Sequence, residues 1–99
     1  MPYYDTVTKV WEKRMVVPLN TWTAIRYGSD NAVSRKYIGI YNRSPYRIYI
    51  TTDNTADPAH TRVVRQGGER IFPYSDKVTL YGMSATTGGA TIVVTEECG

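Results

Sequence analysis

Lys36-Tyr37-Ile38-Gly39-Ile40-Tyr41-Asn42-Arg43-Ser44-Pro45-Tyr46-Arg47-Ile48-Tyr49-Ile50-Thr51 decides how this chain folds. Alternate side chains on a strand point to the same side, so Ile38 pairs with Ile40 and Ile48 with Ile50 as inward residues. Tyr37, Tyr41, Arg47 and Tyr49 then face outward, where a ring or an aliphatic stem packs while its polar tip stays wet. Asn42, Ser44 and Pro45 supply a turn, because Asn and Ser side chains bond to nearby backbone and Pro presets its own φ. The stretch reads as a β-hairpin, apolar inside and rich in Tyr and Arg outside.

Working outward, the rest of the chain has the same grammar. Residues 8–17 alternate, with Val10, Glu12, Arg14 and Val16 on one side and Trp11, Lys13, Met15 and Val17 on the other. Neither side is purely apolar, which fits an edge strand or one covered by a partner; a helix over residues 7–17 is the competing reading. Pro18-Leu19-Asn20 ends that element and a short β-rich segment, residues 21–25, follows. Residues 27–31 are a loop, and residues 51–60 form a longer polar loop broken by Pro58. Connections of that length in a compact domain tend to be functional or to touch a partner. Short strands are expected at 61–64, 70–72, 76–81 and 90–95, with glycine turns at 66–69 and 86–89 and a polar end from Glu96 to Gly99.

About eight short strands with turn chemistry between them, and no helical period, predict an all-β fold: a single small antiparallel β-sandwich or jelly-roll-like barrel. Residues 1–7 are assigned as an N-terminal arm, 8–96 as the sandwich domain and 97–99 as a C-terminal tail. The chain of 99 residues suffices for one modest core. It contains no apolar run long enough to be a membrane helix and no apolar leader, so no membrane partner is expected. One cysteine, Cys98, excludes an intramolecular disulfide and fits synthesis in a reducing cytoplasm.

A formal net charge of +3 permits nucleic acid or an acidic protein as partner without demanding either. Between Asn31 and Thr52 lie Arg35, Lys36, Arg43 and Arg47 with no acidic residue, so the central stretch is also the most basic. Nine tyrosines against one phenylalanine favour half-buried rings at sheet surfaces and interfaces.

Catalytic signatures are weak. Asp53, Asp57 and His60 are the one cluster of metal-ligating types, but Thr55 stands where a calcium loop needs a ligand and no glycine follows, so a solvated loop with Asx turns is the simpler reading. Gly82-Met83-Ser84 is half of a nucleophile elbow, and a hydrolase would need Ser84 to meet His60, the single histidine. Gly67-Gly68 and Gly88-Gly89 lack the lysine and the helix of a phosphate loop. No cofactor, metal or small-molecule substrate is expected.

The order Lys36-x-Ile38-x-Ile40-x-Asn42, Ile48-x-Ile50, Gly68-Glu69-x-Ile71, Val78-x-Leu80-Tyr81-x-x-Ser84-Ala85 and Gly89-Ala90-x-Ile92-x-Val94-x-Glu96 resembles small β-sandwich structural proteins of tailed bacteriophage virions, of the capsid-decoration, head-fibre or head-tail and tail-joining type. The likeness runs from Lys36 to Glu96. It implies a protein without chemistry, made in the host cytoplasm and located in the virion, whose partners are further copies of itself and other capsid, neck or tail proteins. Partner contact is assigned to Tyr3 and Tyr4 of the arm, to Arg43, Tyr46, Arg47 and Tyr49 of the central stretch, and to Asp53, Asp57 and His60 of the long loop. The alternative is a nucleic-acid-binding or carbohydrate-binding β module that uses the Tyr/Arg-rich sheet face.

Overall fold

A computed structural model describes residues 7–85 and 89–99; Tyr3, Tyr4 and most of the 86–89 turn lie outside the described residues. Eight strands form: β1 (Lys9–Val17), β2 (Thr23–Ile25), β3 (Arg35–Asn42), β4 (Ile48–Thr51), β5 (Arg62–Val64), β6 (Glu69–Phe72), β7 (Leu80–Ser84) and β8 (Ala90–Cys98). They make two four-stranded sheets, the first in the order β1-β8-β3-β6 and the second in the order β2-β7-β4-β5. All paired neighbours are antiparallel.

That order has a simple origin. β1 pairs with β8, β2 with β7, β3 with β6 and β4 with β5, as if one long two-stranded ribbon closed at the β4–β5 loop had been rolled up. Rolling brings β3 against β8 and β4 against β7 and leaves the four rungs alternating between two sheets. The result is an eight-stranded sandwich with jelly-roll strand order. Inward residues of both sheets, among them Ile25, Ile38, Ile40, Ile48, Ile50 and Ile92, meet in one buried core. β-Branched side chains suit both the pleated backbone and this burial, which is the driving term of the fold.

The central stretch is therefore not a hairpin. β3 belongs to the first sheet and β4 to the second, so residues 43–47 form an arch across the top of the core. Ile38, Ile40, Ile48 and Ile50 are all core residues as expected, but they face one another across the sandwich and do not line one side of a hairpin. Asn42 directs the arch. Its buried Nδ2 donates to the carbonyls of Tyr46 (2.6 Å) and Val64 (3.0 Å), while its Oδ1 accepts from the N–H (2.9 Å) and the hydroxyl (2.8 Å) of Ser44. An amide satisfied on both ends holds the chain in a tight fold and ties it to the end of β5. The turn at 65–68 likewise carries the chain from one sheet to the other, and β7 and β8 also lie in different sheets. Gly89 does take the left-handed conformation expected of a turn glycine (φ 82°), and a Cβ there would sit 2.9 Å from the Val17 carbonyl oxygen.

The strand reading of residues 8–17 holds and the helical alternative for residues 7–17 is not taken; β1 is an edge strand paired along its whole length with β8. Two further boundaries differ from expectation. The strand expected at 76–81 begins only at Leu80 and runs on to Ser84. The closing strand does not stop at Thr95 but runs through Glu96 and Glu97 to Cys98, all three buried, so residues 97 and 98 belong to the sheet and not to a tail. A charged pair makes that extension possible. Arg35 at the start of β3 and Glu96 near the end of β8 are fully buried and 2.7 Å apart. The guanidinium also donates to the carbonyls of Tyr74 (3.1 Å), Ser75 (2.8 Å) and Val78, and the carboxylate accepts from the N–H groups of Tyr27 (2.7 Å) and Ala32 (3.1 Å).

Because removing one member of such a pair strands the other charge in a dry site, Glu96→Ala is expected to cost about 3–5 kcal/mol in urea unfolding. Lys77→Ala, at an exposed position of the loop before β7, is expected to stay within about 0.5 kcal/mol of wild type in the same measurement.

Candidate functional site

The residues assigned to partner contact do not form one surface. Antiparallel pairing puts the connections 18–22, 43–47 and 65–68, with the end of β7 and the start of β8, at one end of the sandwich, and 26–34, 52–61 and 73–79 at the other. Arg43, Tyr46 and Arg47 are exposed in the arch at the first end. Asp53, Asp57 and His60 are exposed in the loop beyond the far end of β4. Tyr49 lies between them, half-buried, on the outward side of β4 opposite Met83. Tyr37 and Tyr41 are on the outward side of β3, in the other sheet. The expected Tyr/Arg-rich face is thus divided between the two outer surfaces of the sandwich, and Arg35 is buried in its ion pair.

Each end has its own charge. The described loops at the arch end carry Arg43, Arg47 and Arg65 and no acidic residue. Those at the opposite end carry Asp30, Asp53, Asp57 and Asp76 against Arg26 and Lys77.

The long loop builds its own local order. Asp53 Oδ1 accepts from the Thr55 hydroxyl (2.6 Å) and N–H (2.9 Å), and Asp57 caps the 3-10 turn Pro58–His60 by accepting from the Ala59 N–H (3.0 Å). These are the Asx turns that the sequence implied. Bonding from the Thr55 hydroxyl, then from its N–H, holds the Asp53 carboxyl below its ordinary pKa. His60 Nε2 lies 3.9 Å from Asp57 Oδ2, both side chains largely in water, a pairing that contributes little. Trp22 Nε1 donates to the Ala56 carbonyl (3.1 Å) and tethers the loop to the chain ahead of β2. Asp53 and His60 share the rim of a cavity of about 290 Å³ with Phe72 and Tyr74, whose rings stack at 4.9 Å. Among the described residues no three His, Cys, Asp or Glu side chains converge on a point where a metal ion could sit. Ser84 is buried at the arch end of β7 and His60 is exposed in a loop at the other end, so the two are not brought together.

The surface that stands out is the outer face of the first sheet. Val10 and Val16 on β1, Tyr41 on β3 and Ile71 on β6 are 56%, 57%, 41% and 39% exposed, and all four point outward from this sheet. Between them run Thr91, Val93 and Thr95 of β8 and Gly39 of β3, half-buried residues with little side chain to raise a barrier. The second sheet differs, because its large outward residues Tyr49, Tyr81 and Met83 are half-buried or buried. Among the described residues no other element packs over this face, which carries apolar Val10, Val16, Tyr41 and Ile71 beside charged Glu12, Arg14 and Glu69; exposed apolar groups of this kind, gathered on one sheet face, are a candidate docking feature. The sequence did hold part of this signal in the Val10, Glu12, Arg14, Val16 alternation. Periodicity alone does not say which face the other sheet covers.

No family model matches the chain, and no curated protein matches it in sequence.

Two outcomes follow. Carbon-detected NMR titration is expected to place the Asp53 midpoint below that of an exposed aspartate, and Thr55→Val is expected to raise it; bonds that favour the ionised form contribute above the unfolded pKa and are lost as pH falls through the folded one. Cys98 is buried, and burial first, then the Glu96 charge, pushes its thiol pKa up. Ellman's reagent is therefore expected to label it only on unfolding.

Proposed function

We propose that this chain is a non-enzymatic structural protein of a tailed-bacteriophage virion, which self-associates and docks on other capsid, neck or tail proteins. The outer face of the first sheet, over which no other described element packs, is the observation that carries the self-association. Exposed valine, isoleucine and tyrosine side chains on one sheet face gain by burial against another surface. The virion setting is supported by the strand and turn order from Lys36 to Glu96, which resembles that of small virion β-sandwiches. It is supported in kind by the jelly-roll order itself, an architecture used in capsid domains and also in lectins and cupins. Fold alone does not choose among those uses. Against a sheet-face nucleic-acid module stands the division of the aromatic and basic residues between two outer surfaces and one end.

Sedimentation equilibrium over a range of concentrations is expected to show the purified chain as an oligomer, and mass spectrometry of purified virions from the phage that encodes it is expected to find it in multiple copies. A strictly monomeric chain, absent from particles, overturns the reading. Binding to single-stranded DNA that weakens steeply with salt and with Arg43→Ala or Arg47→Ala would favour the nucleic-acid module instead.

A further inference from the structure

We propose that the outer face of the first sheet is a two-fold interface between copies of this chain, with the axis running along the strands between β8 and β3, so that Arg14 of each copy meets Glu69 of the other. The inference rests on the self-association reading and names its geometry.

The cross-strand register supplies the argument. Arg14 pairs with Val93, Val93 with Tyr41 and Tyr41 with Glu69, so these four outward residues make one row across the sheet. Its two ends are opposite in charge: Arg14 on one edge strand, Glu69 on the other, both exposed. A two-fold axis lying in the contact plane along the strand direction turns β1 of one copy over β6 of the second, and β8 over β3. Arg14 then falls opposite Glu69 of the second copy and Val93 opposite its Tyr41. Placed against itself in this way the Arg14–Glu69 row is self-complementary in charge, the requirement for a closed symmetric pair, while in the neighbouring row Glu12 lies at the rim opposite Ile71 of the second copy.

The next outward row is Glu12, Thr95, Gly39 and Ile71, by the same pairings. Here Gly39 is informative. A glycine in the interior of a strand weakens it and commonly marks close approach by another backbone. Among the described residues nothing demands it: a Cβ at Gly39 would meet Ile71 Cγ1 at 3.5 Å, the Arg70 carbonyl oxygen at 3.7 Å and Thr95 Cβ at 3.9 Å, ordinary contacts. The backbone at Gly39 is not in the left-handed region either. The missing side chain sits beside the proposed axis, opposite Thr95 of the second copy, where it lets the two sheets close on each other next to the projecting Tyr41 rings. A footprint of four strands, each about 4.8 Å wide and up to nine residues of about 3.3 Å long, is roughly 500 Å² per copy, which sits at the lower limit of a specific interface and predicts a reversible dimer.

Charge exchange tests the geometry. Arg14→Glu and Glu69→Arg each place like charges in contact twice by symmetry, and each is expected to weaken dimerisation about tenfold or more by sedimentation equilibrium at low salt. The double variant, Arg14→Glu with Glu69→Arg, is expected to recover most of the affinity. Gly39→Arg is expected to abolish the dimer while circular dichroism and thermal melting remain those of a folded sandwich. A wild-type chain that is monomeric at all concentrations overturns both this proposal and the self-association reading. A wild-type oligomer indifferent to all these variants overturns the interface and leaves self-association standing elsewhere on the surface. Loss in both single variants without recovery in the double shows that Arg14 and Glu69 do not meet, and overturns the axis.

Discussion

One end of this sandwich depends on a single buried ion pair. Arg35 opens β3 and Glu96 lies near the end of β8, the two central strands of the first sheet, and their side chains meet 2.7 Å apart out of contact with water. Burying both charges costs several kcal/mol per ion before any attraction returns it, and the pair persists because every strong partner is in place. Three backbone carbonyls from residues 74–78 surround the guanidinium, and two backbone N–H groups from residues 27 and 32 complete the carboxylate. Two loops that have no regular structure of their own are thereby fixed against the strands. A pair of apolar residues of the same volume would bury as well but would leave those five backbone groups to find water or each other, so the ion pair acts as the template for the loops.

At the opposite end a neutral group has the same part. Asn42, also fully buried, uses both ends of its amide to shape residues 43–47 and to hold them to β5. Between these two polar plugs the core is almost wholly aliphatic. The rolled-ribbon order requires the chain to cross from sheet to sheet at nearly every connection, and an apolar core alone does not specify where it crosses. Arg35 with Glu96 at one end and Asn42 at the other supply that specification, which places the two sheets over each other in one register and sets which faces remain outside.

These same residues explain what the sequence made legible and what it hid. Alternation of Ile38 with Ile40 and of Ile48 with Ile50 correctly marked strands and core, because period two depends only on one face being buried. It does not distinguish a hairpin from an arch, since both bury the same isoleucines, and so the sheet that each strand joins was misread. The arch is held by Asn42, whose partner Val64 is far along the chain and so invisible to any local pattern. Arg35 looked like one more base on a positive surface because nothing local shows that Glu96 lies beside it. Glu96 and Glu97 looked like a polar end for the same reason. The candidate face was half visible as the alternation on β1, whereas the charge at its other edge, Glu69, reached the same row only through three strand pairings.

The charge on the two ends gives the proposed pairing a consequence. A two-fold axis along the strands keeps the strand direction of both copies the same, so the arch ends of the two molecules lie side by side. Arg43, Arg47 and Arg65 of both copies then form one doubled basic surface, carrying two exposed Tyr46 rings, and the acidic loops gather at the far end. Like charges brought together in this way repel, but exposed groups farther apart than about 8 Å are largely screened at physiological salt, and the apolar face between the ends is unaffected by screening. Self-association through the sheet face therefore spends none of the residues at either end. It concentrates them into two surfaces of opposite sign, one at each end of the pair.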